Sequence, residues 1–165
     1  MIAIKMHETP TAVVAACQAA RALAPASFPP DLPPDPLIPN VPAWYEFERE
    51  AWAIGETIRH SLKTNPKLKK DPSVIRAILE VVQDRHLRRG RQSFVMLLGF
   101  TGASTHAPLL VSLISDPDID GHVIDTLLKM RAAGYAPQVA KFITHTQAWV
   151  RRLAKRYVER YPSAV

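Results

Sequence analysis

The chain has 165 residues, of which 47% are hydrophobic and 22% charged, a balance that supports a packed core and excludes global disorder. Six glycines and the absence of long Val/Ile/Tyr alternation argue against an all-β fold, no run approaches the roughly 20 apolar residues of a membrane span, and an N-terminus that only partly mimics a secretory leader makes a cytoplasmic protein the expectation. The net charge of +6 suits an acidic protein, a nucleic acid or an anionic lipid surface, while the single cysteine, Cys17, excludes an internal disulfide and a cysteine-rich metal site.

Residues 10–24 read as a short alanine-rich helix. Lys5, the Ala/Val run and Ala22-Leu23-Ala24 mimic a secretory leader, but Glu8, Gln18 and Arg21 interrupt the pattern. Cys17 lies among small apolar residues and is expected to be a buried, inert thiol. Residues 25–42 hold Pro25, Pro29, Pro30, Pro33, Pro34, Pro36, Pro39 and Pro42. Proline lacks the amide donor and fixes φ, so neither a helix nor a central strand is expected there. The segment is a stiff polyproline-like connector or lies against the domain, anchored by Phe28, Leu37 or Ile38.

Asn40 and Pro42 supply a helix start. Trp44, Phe47, Ala51, Ile54, Ile58 and Leu62 then recur at three- and four-residue steps, which makes one apolar stripe. Tyr45 and Trp52 fall to one side of it as candidate exposed contacts. Asn65-Pro66 closes this helix, and Lys67 to Lys70 form a basic loop.

From Asp71-Pro72, an N-cap with proline at the first helical position, the chain changes character. Val74, Ile75, Ile78, Leu79 and Val82 face a core. Gly90 marks a break, and Phe94, Val95, Leu97 and Leu98 belong to a second helix ending near Gly99 or Gly102. The unit returns with Thr105 as cap, Leu109, Leu110, Leu113 and Ile114, a turn at Asp116-Pro117-Asp118, and Val123, Ile124, Leu127, Leu128 and Met130. A shift of 32 residues superimposes Ile78 on Leu110, Leu79 on Val111, Val82 on Ile114, Asp84 on Asp116, Val95 on Leu127, Leu98 on Met130 and Gly102 on Gly134. A third, shorter unit aligns Ala136-Pro137 with Ala107-Pro108 and ends in Val150, Leu153, Ala154 and Tyr157. A hairpin cannot bury its apolar face alone, so such units stack.

Asp116-Pro117-Asp118 before Val123, Leu97-Leu98-Gly99-Phe100-Thr101-Gly102, and Val150-Arg151-Arg152-Leu153-Ala154 together resemble HEAT-like helical repeats over residues 72–160. Ile124 departs from the pattern, since many such repeats carry arginine there, and the third unit is short of turn residues. The resemblance implies an all-α fold of stacked antiparallel helical hairpins, an α-solenoid. Residues 1–42 would form an N-terminal helix and proline-rich connector, and residues 43–165 a helical domain with about three hairpins. It also implies a scaffold for protein partners. A minority of such arrays bind nucleic acid, and a few, such as the alkylpurine DNA glycosylases and bilin lyase relatives, do chemistry.

No phosphate-cradling glycine loop and no His-Glu-x-x-His are present. His7, His60, His86, His106, His122 and His145 are scattered, and Glu56 with His60 makes only two ligands, so neither a metal nor a cofactor is expected. Asp118, Asp120 and Asp125 fit turn formation and helix capping. The sharper reading, which the resemblance to the glycosylases implies, makes Asp125 catalytic and Trp149 a stacking residue. No enzyme is expected. The expected function is non-catalytic binding of a protein partner, an acidic one, with nucleic acid as the alternative. The expected surface is a basic face of Arg88, Arg91, Arg151, Arg152, Lys155 and Arg156, and the competing site is Tyr45 with Trp52.

Overall fold

The computed structural model describes residues 7–39, 41–102 and 104–163. Among them the regular structure is helical, apart from an isolated antiparallel bridge between Pro34 and Pro42. The helices are α1 (Pro10–Ala22), α2 (Glu46–Thr64), α3 (Pro72–Gln83), α4 (Gln92–Thr101), α5 (Ala107–Ser112), α6 (Asp120–Lys129), α7 (Ala136–Val139) and α8 (Ala148–Arg160). Short 3-10 turns join several of them. None is long and apolar enough to cross a membrane. The chain divides into two compact units, Met1–Phe94 and Val95–Val165.

In the first unit α1 packs against α2 and α3 and buries Val13, Ala16, Cys17 and Ala20. Its alanine-rich face belongs to the core it shares with α2 and α3. Cys17 is 1% exposed, and burial pushes its thiol up to about 12. The stripe on α2 is buried at Ala51, Ile58 and Leu62. Asp71 caps α3 by accepting from the Ser73 and Val74 amides at 2.9 and 3.3 Å.

Among its described residues the proline-rich segment holds no helix, but it is folded back on itself. Asp35 N–H donates to Val41 O at 2.7 Å and Ala43 N–H to Pro33 O at 3.0 Å. Leu37 and Ile38 ride exposed on the resulting loop, so they do not anchor it. It is tied down by a stack of Phe28 on His86 (centroids 4.9 Å apart), an ion pair of Asp31 with Arg88 at 2.9 Å and a bond from Arg89 to Pro42 O at 2.7 Å. Of the expected helix start, Asn40 lies outside the described residues and Pro42 is held in the bridge with Pro34, so α2 begins later, at Glu46 with Tyr45 as its N-cap.

The residues matched by the 32-residue shift share their local environments. Ile78 and Leu110, Val82 and Ile114, Val95 and Leu127, and Leu98 and Met130 are all buried. Asp84 and Asp116 each accept the amide two residues on, from His86 at 3.2 Å and Asp118 at 3.1 Å. Gly102 and Gly134 both adopt positive φ, 67° and 97°, which a side chain would resist.

The segments between diverge. Residues Arg85–Arg91 form a 3-10 turn kinked at Arg88 (φ 49°) before α4 begins, whereas α6 starts directly at Asp120. The helix expected after Thr105 is also shorter: a 3-10 turn at Ser104–His106 leads into α5, which ends before Leu113. Leu113, expected in the core, is half-buried as the residue closing α5. In the second unit α6 packs against α5 and α8, and α7 packs against α8.

Candidate binding surface on the last helix

The apolar face of α8 is Val150, Ala154 and Tyr157, all buried. Tyr157 donates its hydroxyl proton to Ala132 O, which fixes the helix from within. One step round, Trp149, Arg152, Leu153 and Arg156 occupy positions i, i+3, i+4 and i+7, a single longitudinal stripe. Together with His122 and Asp125 of α6 and Met96 of α4 they line a cleft of about 520 Å³. Leu153, expected with the core residues, is half-buried because it forms a wall of this cleft.

Trp149 is held at the cleft edge by two contacts. Its Nε1–H donates to Gln147 Oε1 at 2.6 Å, and its ring lies over Gly121, where an added Cβ would come within 2.2 Å of Cη2. His122 meets the indole edge-on, centroids 5.2 Å apart. Burial drops the His122 pKa to about 4, helped by Lys129 and opposed by Asp125, so the imidazole is neutral at physiological pH. Asp125 is ion-paired with Lys129 at 2.7 Å.

Arg152, Lys155 and Arg156 are exposed, and no carboxylate of the described residues lies within ion-pair distance of them. The other expected cations are placed differently. Arg91 is fully buried and donates to Arg88 O at 2.8 Å and Val82 O at 3.3 Å. A guanidinium that satisfies backbone carbonyls inside the core presents nothing to a partner. Arg88 is bound to Asp31 and lies over the Tyr45 ring at 5.6 Å. Arg151 turns back to His145 O and Thr146 O at 2.6 and 2.7 Å, closing the loop before α8. The basic face thus reduces to Arg152, Lys155 and Arg156.

The competing aromatic site is also reduced. Tyr45 caps α2, its amide donating to Glu48 Oε2 at 2.8 Å, and its ring is covered by Phe47 and Arg88. Trp52 is 36% exposed and keeps that candidacy alone.

Two polar arrangements escaped the sequence reading. Glu48 is fully buried and holds Arg89, whose Nη2 lies 3.1 Å from Oε2 while its amide and Nε reach Oε1 at 3.1 and 3.2 Å. Arg89 also donates to Pro42 O and Ala43 O, both at 2.7 Å, and stacks over Trp44. The signal was available: Glu48 falls between Phe47 and Ala51 on the apolar stripe, where a carboxylate needs an internal cation. The second is Asp120, buried, whose Oδ2 lies 3.2 Å from His145 Nε2 and whose Oδ1 accepts the Gly121 amide. Burial raises the Asp120 pKa, against the pull of the Gly121 amide and His145. His145 Nδ1 accepts from the Gln147 amide at 3.1 Å, so Nε2 carries the proton toward Asp120. Two of the three clustered aspartates are thus committed to different partners, Asp120 to His145 and Asp125 to Lys129, while Asp118 donates its amide to Asp116. Glu56, paired in the sequence with His60, bonds Arg59 instead.

Compared with protein-family models, with curated proteins and with solved structures, the chain gives no significant match.

Proposed function

We propose that this protein is a non-catalytic binding module of stacked HEAT-like hairpins and that it engages an acidic protein partner through the exposed face of α8. The observation that carries the reading is the trio Arg152, Lys155 and Arg156, exposed on consecutive turns without an internal carboxylate. Three desolvatable cations on one rigid helix attract carboxylates, and arginine's planar fork can hold a carboxylate through two bonds. The matched burial of the pairs at the 32-residue shift, with their shared aspartate turns and left-handed glycines, supports the repeat architecture. The engagement of both His145 nitrogens and the Asp125–Lys129 pair favours binding over catalysis.

The test is fluorescence anisotropy of a labelled glutamate-rich peptide against the full chain over a salt series. Binding should weaken as salt rises. The double substitution Arg152→Glu, Arg156→Glu should weaken it further and flatten its salt dependence. Unchanged binding by that variant, with loss on Trp52→Ala, would move the interface to α2.

A second reading, nucleic-acid binding, draws on the Trp149 indole beside Arg152. Random-sequence DNA bound more tightly than the acidic peptide, with a steep loss of affinity in salt, would favour it.

A further inference from the structure

Resting on the reading just given, we propose that the cleft beside α8 is a specificity pocket, which takes one large apolar side chain of an acidic peptide while Arg152 and Arg156 hold the carboxylates flanking it. The cleft and the cations belong to one stripe of α8, so an extended peptide crossing that stripe meets both within a few ångströms along the helix, about 1.5 Å of rise per residue.

The composition of the walls sets the occupant. Met96, Leu153 and the Trp149 indole give the cleft an apolar lining of adaptable and aromatic groups. His122 adds no charge, because burial keeps it neutral. Asp125 is neutralised by Lys129. The charge of the cleft is therefore confined to its rim, at Arg152 and Arg156, with an uncharged interior. That matches an apolar anchor between acids, the usual division of an interface into apolar centre and polar rim.

A nucleic-acid strand fits less well. Sequence-tolerant binding of single strands uses a cationic groove with several stacking aromatics. Here one indole faces the cleft.

Gly121 is the residue that makes the pocket. With no Cβ, it lets the Trp149 ring settle against α6, and any side chain there would displace the indole from that seat.

The experiment follows the three tryptophan indole N–H signals of the full chain by NMR, with the Trp149 signal assigned from Trp149→Phe. The titrants are a glutamate-rich decapeptide carrying one central leucine, the same peptide with alanine at that position, and an oligothymidylate of similar length. The leucine peptide should bind at least about tenfold more tightly than the alanine peptide, the worth of one buried aliphatic side chain, and should shift the Trp149 signal. Gly121→Ala and, independently of its packing, Trp149→Ala should erase that preference while leaving the salt-sensitive binding of both peptides.

Equal affinity for the two peptides, with Arg152→Glu, Arg156→Glu still weakening both, overturns the pocket and leaves the basic-face reading standing. Indifference of both peptides to the arginine substitutions overturns the basic-face reading and the pocket with it. A larger Trp149 shift and tighter binding with oligothymidylate overturns the peptide assignment.

Discussion

Two runs of basic residues, Arg88-Arg89-Gly90-Arg91 and Arg151-Arg152 with Lys155-Arg156, look alike in the sequence and have opposite fates. In the first, Arg89 and Arg91 are buried, and each cation is answered by a named acceptor: Glu48, Pro42 O and Ala43 O for Arg89, Arg88 O and Val82 O for Arg91. In the second, only Arg151 is turned inward, onto His145 O and Thr146 O, and the rest stay in solvent. The difference lies in the backbone. The first run is a kinked 3-10 turn whose Gly90 lies so close to α2 that a Cβ would meet Ala51 Cβ at 2.9 Å and Glu48 O at 3.0 Å. The second is a regular helix whose buried side is Val150, Ala154 and Tyr157, and Arg152, Lys155 and Arg156 fall outside that side. A charge run therefore reports a binding surface only once its backbone is known.

The largest effect should come from breaking the buried pair. Glu48→Ala leaves Arg89 desolvated without its carboxylate, and breaking such a pair from one side costs roughly 3–5 kcal/mol. Urea denaturation followed by circular dichroism measures it. A loss no larger than that of a surface substitution would mean that water reaches Arg89, and that the two basic runs are less different than described.

The next contrast lies between two leucines of the second unit. Leu127 is fully buried and Leu113 half-buried. Leu127→Ala should cost about 2–5 kcal/mol, the usual range for a core leucine, and Leu113→Ala clearly less. Equal losses would restore Leu113 to the core, where the sequence pattern had put it.

That reversal shows what the sequence could and could not carry. Helix class, the α2 stripe, the Asp71 cap and the aspartate and glycine punctuation at 84/116 and 102/134 were legible, because each depends on periodicity or on a residue's local bonding. The partner of a helix was not. The alanine-rich α1 reads as an appendage because small residues give a weak stripe, yet they are what allows close approach to α2 and α3. Leu113 and Leu153 read as core because hydrophobicity does not distinguish a buried position from a cleft wall. The inward turn of Arg91 and Arg151 was hidden because their acceptors are backbone carbonyls, which leave no trace in the side-chain sequence.

The cleft can be probed by pH as well. His122 has its pKa lowered from 6.5 to about 4, so between these values the unfolded chain binds a proton that the folded chain refuses. Stability should therefore rise with pH across that window and fall as pH drops through it, levelling off below about 4. Urea midpoints taken from pH 4 to 7 should show this slope, and His122→Asn should reduce it. A slope that His122→Asn leaves intact would assign the window to other groups and place His122 in water.

The smallest effect on stability is expected where the functional effect is largest. Arg152 and Arg156 are exposed and bond no carboxylate of the described residues, so replacing both by glutamate removes no internal partner. Surface substitutions of this kind stay within about 0.5 kcal/mol each. The change also relieves repulsion, since the pair lies on a helix whose neighbours Arg151, Lys155 and Arg160 are cationic. The measurement is the urea midpoint of the double variant beside that of Glu48→Ala. An intact midpoint with weakened binding to the acidic peptide separates a surface held for a partner from cations held for the fold. A loss approaching that of Glu48→Ala would show that the α8 arginines, like Arg89 and Arg91, are structural, and the contrast between the two basic runs would collapse.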